Sequence, residues 1–436
     1  MSPTRFAPSP GYLESLLAGQ PMLPASPVSS LNALRAEAVD RVGALTVPTV
    51  RDEEWRFTDL SPLTKQTFQP ARVRAPREVV DAGRFDLPEA MTRLVFVDGV
   101  HAPELSRVAP EGVAIANFAA ADAAQGEMIA RHLGRYAEFR DNVFAALNTA
   151  FVHDGALIIV PPGSTLAAPV HLLFIAREKD AASYPRCLVI AGRGSAATVI
   201  EDFVSLQDGA YFTNAVTEIV LADDARVDHV RVQHEGGQAF HIGNGAVSLG
   251  PGSRFHSVSV ALGARISRYD LNVSQTAEGA NCTIDGLAVI AERQLADTHT
   301  SIDHRKPHGV SRQLHKCIVG GAAHAVFNGK IFVHPGAQQT DSSQSSRNLL
   351  LGARAQVDTK PQLEIFADDV KCAHGATVGR LDDDAVFYLR SRGLSDAAAR
   401  NLLTYAFGAE VVDRIPVASL RQRLETTLLA QTTREP

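Results

Sequence analysis

Positive charge is not in excess in this chain of 436 residues: 42 Lys and Arg face 48 Asp and Glu, a formal net charge of −6. A phosphate backbone therefore finds no broad basic surface, which argues against nucleic acid as a partner. Long apolar runs are missing too. The opening "MSPTRFAPSPGYLESLLAGQ" has no sustained apolar segment after its basic residue, and nothing later approaches the roughly 20 apolar residues that span a bilayer. No membrane association is expected, and the chain reads as cytoplasmic. Cysteine is scarce. Cys187, Cys282, Cys317 and Cys372 are far apart and form no C-x-x-C pair, which excludes a disulfide framework and an autonomous zinc ribbon and suits a reducing compartment. The first three are expected to be small buried thiols. Aromatics make up only 6% of residues, with one tryptophan, Trp55, so thin regular layers are expected rather than a bulky core.

Catalytic signatures are equally sparse. "VFNGKI" lacks the leading glycine and the hydroxyl residue of a phosphate loop, and there is no G-x-S-x-G elbow and no H-E-x-x-H. The chain is not expected to bind or hydrolyse nucleotide itself, nor to be an enzyme.

The sequence divides into three. Residues 1–150 read as a mainly helical N-terminal region. "SSLNALRAEAVDRVGAL" (29–45) opens on serines suited to a helix cap and places Leu31, Leu34, Ala38, Val42 and Leu45 at helical spacing. "DEEWRFTDLSPL" follows, with Trp55 expected as a core or docking anchor. A short strand, "RLVFVDG", precedes a second helical stretch.

From about 156 the pattern changes to short Val/Ile/Leu runs cut by Gly, Asp or Pro, such as "ALIIVPPG", "EIVLADDA", "AVSLGPGS" and "KIFVHPGA". Several turns share a form that ends on a small residue: Ala197, Ala225, Ser253, Ala280, Ala337 and Ala355, at spacings of 28, 28, 27, 57 and 18. A period of this size with no intervening helix points to a solenoid, with a parallel β-helix favoured over a sandwich or a propeller, whose blades take roughly 40 residues or more. The core is assigned to 151–380. Residues 381–436 form a C-terminal helical region that caps one end of the rod or docks a partner. Gly393 stops one helix, Ser395 caps the next, Ser419 with Gln422 makes a capping box, and the Asp382–Asp384 run is capping and solvation.

Two stretches could support chemistry. In "DDVKCAHGATVG" (368–379) a strand would direct Cys372 and His374 to the same side, whereas a helix would set them roughly 200° apart. A metal site, a nucleophile, a partner contact and plain packing are all compatible with this pattern. A thiolate beside an imidazole suits zinc or iron, and the Lys371 ammonium would favour the thiolate. Two donors do not complete a tetrahedral site, so the remainder must come from elsewhere in the fold or from a second chain. Both side chains are expected at adjacent outward positions on a stacked strand. The other stretch, "THTSIDHRKPHGVSRQLHK", holds His299, His304, His308 and His315 within 17 residues; in a solenoid these can land on different faces, and a surface hydrogen-bonding ladder is the plainer reading.

"IDHRKPHGVSRQLHK", "FNGKIFVHPGAQQTDSSQSSRNLLLGARAQVDTKPQLEIFADDVKCAHGATVG" and "AVFYLRSRG" together resemble the SufB/SufD family of the SUF iron–sulfur cluster assembly machinery. The match is closest over about 295–415, with "DEEWRFTDL" adding a weaker one. The K-C-A-H sequence is of the SufD type, where SufB has more of an E-H-E segment; Ala373 stands where many relatives have serine. The resemblance implies a right-handed parallel β-helix between helical ends and a scaffold subunit of a SufB–SufC–SufD complex that helps iron entry. It implies a heterodimer with SufB through β-helix edges, and docking of the SufC ATPase on the C-terminal helices. It further implies that iron or a nascent cluster is shared with SufB, with His374 as a ligand and Cys372 as a weaker match. A homodimer in the absence of SufB stays open. The alternatives are a SufB-like paralogue that holds the cluster itself, or a β-helix enzyme acting on polysaccharide, which would show a groove lined with carboxylates and basic residues.

Overall fold

The computed structural model describes residues 11–70, 81–109 and 114–432. From Arg186 onward, successive strands alternate between two parallel sheets, begun by Ala156–Val160 and Val170–Ala176. One sheet runs from Ala156–Val160 to Gln356–Ile365, and the other holds eight parallel strands from Val170–Ala176 to Val370–Gly379. This is the expected parallel β-solenoid, each coil contributing one strand to each wall.

Register fixes the coil length. Arg226 lies beside Ala196, Arg254 beside Arg226, Asn281 beside Arg254, Val310 beside Asn281 and Asp341 beside Val310, so a coil takes 27 to 31 residues. Ala225, Ser253 and Ala280 do occupy one turn repeated coil after coil. Ala197 does not: it lies two residues inside its strand, and Ser195 is the true equivalent of Ala225. Gly309 fills the coil that the doubled spacing skipped. Ala355 broke rank because it precedes Gln356, a strand of the opposite wall.

Side chains alternate inward and outward along each strand, and the inward columns form the core. At the N-terminal end these columns are apolar. Phe96, Phe174 and Phe203 are in-register neighbours whose rings stack at centroid distances of 5.2 and 4.8 Å, beside Leu94, Leu172 and Val199. Each such side chain stabilises the fold by about 1.5–3 kcal/mol through burial alone. Charges enter the coil only as a closed network. Glu201 lies within hydrogen-bond distance of Thr217 and His229, and Arg231 with Glu235 flanks His241.

The N-terminal end of the solenoid is covered. Thr92–Val97 adds in parallel to Val170–Ala176 and is itself closed by the antiparallel pair Val100–His101, while Ala114–Asn117 lies antiparallel on Ala156–Val160. An antiparallel partner cannot propagate the coil, so both walls stop there. Helices Ser29–Ala44 and Val143–Phe151 pack by Val42, Phe144, Leu147 and Phe151 against the outward residues Phe212, Phe240 and Ile266. The helix begins at Ser29, but its cap position is Val28 and no serine hydroxyl caps it.

At the other end, Gln356–Ile365 and Val370–Gly379 each pair with a preceding strand only, among the described residues. The C-terminal helices do not cover that end. Asp396–Val412 and Ala418–Thr432 lie along the flank, with Val411, Ile415, Leu420 and Leu424 against Val230, Val258, Leu287 and Leu314. Lys316 to Glu410 (2.5 Å), Arg414 to Asp285 (2.6 Å) and Arg423 to Asp202 fix the docking. Asp382 and Ser395 cap their helices through their side chains, and Gly393, at φ 97°, ends the first as expected. The Ser419–Gln422 box is not formed. Ser419 lies inside its helix, held by the Glu89 carboxylate instead.

Candidate functional site

Val370–Gly379 is the last strand of its wall. Cys372 lies beside Ser342 and His374 beside Gln344. Following the register back leads from Ser342 to Ser311 and Cys282, and from Gln344 to Gln313 and Ile284. Cys282 and Ile284 belong to the interior core. Cys372 and His374 therefore share one side of the strand, as alternation required, but it is the inward side. The expected outward placement is wrong, and its physical basis explains why the pair is reachable at all: no further coil follows, so inward positions of the last coil face the open end. His374 is exposed and Cys372 half-buried against the core.

Lys371 points the other way. It stands beside Asp341, whose carboxyl is held below its usual range chiefly by Arg312 at 2.7 Å and also by Lys371. Burial, reinforced by the Asp341 charge, pushes the Cys372 thiol up, with its backbone hydrogen bond to Ser342 opposing. The expectation that Lys371 favours a thiolate is overturned: the thiol holds its proton, and a metal or electrophile must displace it. Cys187, Cys282 and Cys317 are buried as expected, the last two with thiols pushed up to about 12 by burial.

The four clustered histidines are dispersed. His304 and His315 lie inside the coil, where burial pushes them down to about 4 and about 3; His304 Nε2 is 2.9 Å from Ser311 Oγ, and His315 stacks on Phe327. His308 sits in a turn at φ 60°, 3.5 Å from Glu278. His299 faces outward. Burial works against its charged form, yet Asp297 at 3.0 Å and Glu54 at 3.2 Å hold it up at about 9. No surface ladder of histidines forms.

His299 opens onto a groove of about 540 Å³ between the 45–55 segment and the outer wall, lined among others by Trp55, Phe144, Arg268, Asp270 and Lys330. Trp55 is the docking anchor. The Arg268 guanidinium lies 3.7 Å from its ring centroid and is itself held by Asp270 (2.8 Å) and Asp297 (2.6 Å). Thr58 bonds Asp297, Asn328 bonds Glu54 and Lys360 pairs Glu53, so "DEEWRFT" straddles several coils. Ion pairing of these groups with one another is an arrangement for docking the N-terminal segment.

Sequence reasoning missed the polar interior behind the open end. Ser311 and Ser342 are 2.7 Å apart, Gln344 donates to Gln313 (2.7 Å), Gln313 donates to Thr300 (2.8 Å) and Thr359 donates to Ser346 (3.0 Å). The signal was present in "TDSSQSSRN", whose inward and outward positions are both polar. Among the described residues no three or more His, Cys, Asp or Glu side chains gather as a metal site. The open end thus offers two donors, one exposed and one proton-bearing, on the bare edge of a sheet.

The chain is similar to known proteins over most of its length. Residues 174–407 match the SufBD core domain of SUF-system FeS cluster assembly, and residues 11–172 match the SufBD protein N-terminal region. An iron–sulfur cluster assembly SufBD family protein of Synechocystis is 41% identical, covering 95% of this chain and 94% of its own. The iron–sulfur cluster assembly protein SufD of Escherichia coli is 37% identical over 87% of this chain and 88% of its own, and a chloroplastic protein of Arabidopsis thaliana is 31% identical over 92% and 86%. The chain belongs to the SufBD family of iron–sulfur cluster assembly proteins, and its role lies in that process. No helix among the described residues is long and apolar enough to cross a membrane.

Proposed function

We propose that this chain is a SufD-type, non-catalytic scaffold subunit whose open solenoid end pairs with the β-helix of a SufB partner, and that iron or a nascent cluster is held between them. The observation that carries the reading is the terminal strand Val370–Gly379, an edge unpaired among the described residues with His374 exposed on it. Such an edge is a template for strand addition by a second chain. His374 supplies a nitrogen donor there, while partner residues complete the coordination. Cys372 is the secondary donor, since it must first lose a proton held by burial. Similarity to the Escherichia coli SufD supports the SufD type over a paralogue that holds the cluster alone.

The segments divide the work. Within the N-terminal region 1–150 the described residues close and brace one end, 151–380 form the coil, and the C-terminal helical region receives the SufC ATPase. Phe387 and Tyr388, 70% and 57% exposed on helix Asp383–Ser391, support that docking surface. Nucleotide is left to SufC, whose motion would open or close the shared edge. The test is cluster yield and iron content of the complex co-expressed with SufB and SufC. His374→Ala is expected to lower both at least about tenfold, with the complex intact; unchanged yield removes the ligand role.

A further inference from the structure

The inward column that ends at His374 is Ile284, Gln313, Gln344, His374. Its two amides are ordered head to tail. Gln313 donates through Nε2 to Thr300 Oγ1 on the facing wall and accepts at Oε1 from Gln344 Nε2 of the next coil. Gln344 also donates, but back along its own wall to Gln313, and it accepts nothing in turn. Its Nε2 is committed to Gln313, it is 3% exposed, and its Oε1 has no hydrogen-bond partner. The next step of the column is occupied by His374, which makes no hydrogen bond to that oxygen in this structure.

The amide cannot readily turn away. On the facing wall a Cβ built at Gly329 would stand 2.2 Å from Gln344 Nε2, so the glycine is the space in which the amide lies. An amide pinned on one side and buried keeps its oxygen where it is, and a buried acceptor left unpaired is unfavourable. The side chain that the register places at the next step is the His374 imidazole, about 4.8 Å further along the solenoid axis at the backbone.

We infer that Gln344 is a positioning residue for His374: a turn of the exposed imidazole toward the column lets Gln344 Oε1 accept the hydrogen bond of one ring N–H, and so presents the lone pair of the other nitrogen at the open end. A neutral imidazole has one donor and one acceptor nitrogen, and the hydrogen bond made by one decides which atom is free to ligate. Partners of this kind fix the ring and its tautomer before any metal arrives. The inference rests on His374 being the ligand proposed above, but its central prediction needs no iron.

The test uses the full chain with ¹⁵N-labelled histidine, free of metal, at a pH where the imidazole is neutral, with the His374 signals identified by their loss in His374→Gln. In the wild type the two ring nitrogens are expected to show one dominant tautomer. Gln344→Met, close in volume but without an acceptor, is expected to mix the tautomers, and Gln344→Glu, which keeps the acceptor, to restore one. Both variants are first shown to keep the wild-type circular dichroism. Should Gln344→Met fail to fold, Gln344→Glu alone decides: its stronger acceptor is expected to shift the ring N–H signal of the dominant His374 tautomer, and His374 signals unchanged from the wild type overturn the inference. Identical His374 signals in wild type and a folded Gln344→Met overturn it too. In the co-expressed complex Gln344→Met is expected to weaken iron retention about tenfold or more. A tautomer change together with a harmless His374→Ala would refute the ligand reading and leave the positioning standing; the reverse pattern would refute the positioning alone.

Discussion

The two ends of the solenoid are built from the same strand repeat and meet solvent in opposite ways. At the N-terminal end, antiparallel strands cover both walls and the interior is a stack of Phe96, Phe174 and Phe203. At the C-terminal end the last strand of each wall has no further partner among the described residues, and the interior column that begins with Val170 and Val199 runs through His229, Ser257 and Ile284 to end in Gln313, Gln344 and His374. A coil exposed at its end cannot be apolar without inviting aggregation, and cannot be closed if it is to receive a partner. The polar column answers both demands. Stability is concentrated at one end and reactivity is left at the other.

Breaking the closed end should cost most. Phe174→Ala removes the middle ring of the stack, and equilibrium denaturation is expected to show a loss of about 3–5 kcal/mol. A loss under about 1 kcal/mol would mean that the stacked rings do not hold that end. The mirror change at the open end should do the reverse. Val378→Lys places a charge on the bare strand at a residue 49% exposed, so stability should stay within about 0.5 kcal/mol. Co-purification with SufB should fall at least about tenfold, and undiminished recovery of SufB would place the interface elsewhere.

The flank between the ends adds a smaller, pH-dependent contribution. His299, and His256, which is held by Asp228 at 3.2 Å and Asp285 at 3.4 Å, are kept up at about 9 in the fold, against about 6.5 in an unfolded chain. A raised value stabilises: the contribution is complete below about pH 6.5 and is lost as pH rises through about 9. The interior His304 and His315 act in the opposite sense, because their lowered values cost stability as pH falls from 6.5 toward about 4 and about 3. Stability is therefore expected to decline from pH 6.5 to 9, and His299→Gln to flatten part of that decline. An unchanged slope would show that His299 does not brace the Trp55 segment.

Much of the architecture could be read from residue spacing. Ala225, Ser253 and Ala280 mark successive coils because a tight turn between stacked strands favours a small residue each time. The reading slipped where chemistry varies: Gly309 holds the same turn with a different residue, and Ala355 marks the turn of the other wall. At the site, the alternation of Cys372 and His374 fixed their common side, which geometry alone dictates. Inward or outward could not be read, because "TDSSQSSRN" is polar on both sides and the exposure of His374 comes from the absence of a following coil. Nor could the spacing reveal that Lys371 lies beside Asp341 on the other side of the strand, away from the thiol next to it.

The account's central claim is that the bare strand Val370–Gly379 is where a partner joins. Amide hydrogen exchange on the monomeric chain, alone and after addition of SufB with SufC, tests this directly. The edge-facing amides of residues 370–379 should exchange freely alone and become protected in the complex, while those of Val170–Ala176 stay unchanged. Equal exchange of residues 370–379 in both states, with the complex demonstrably formed, would contradict it.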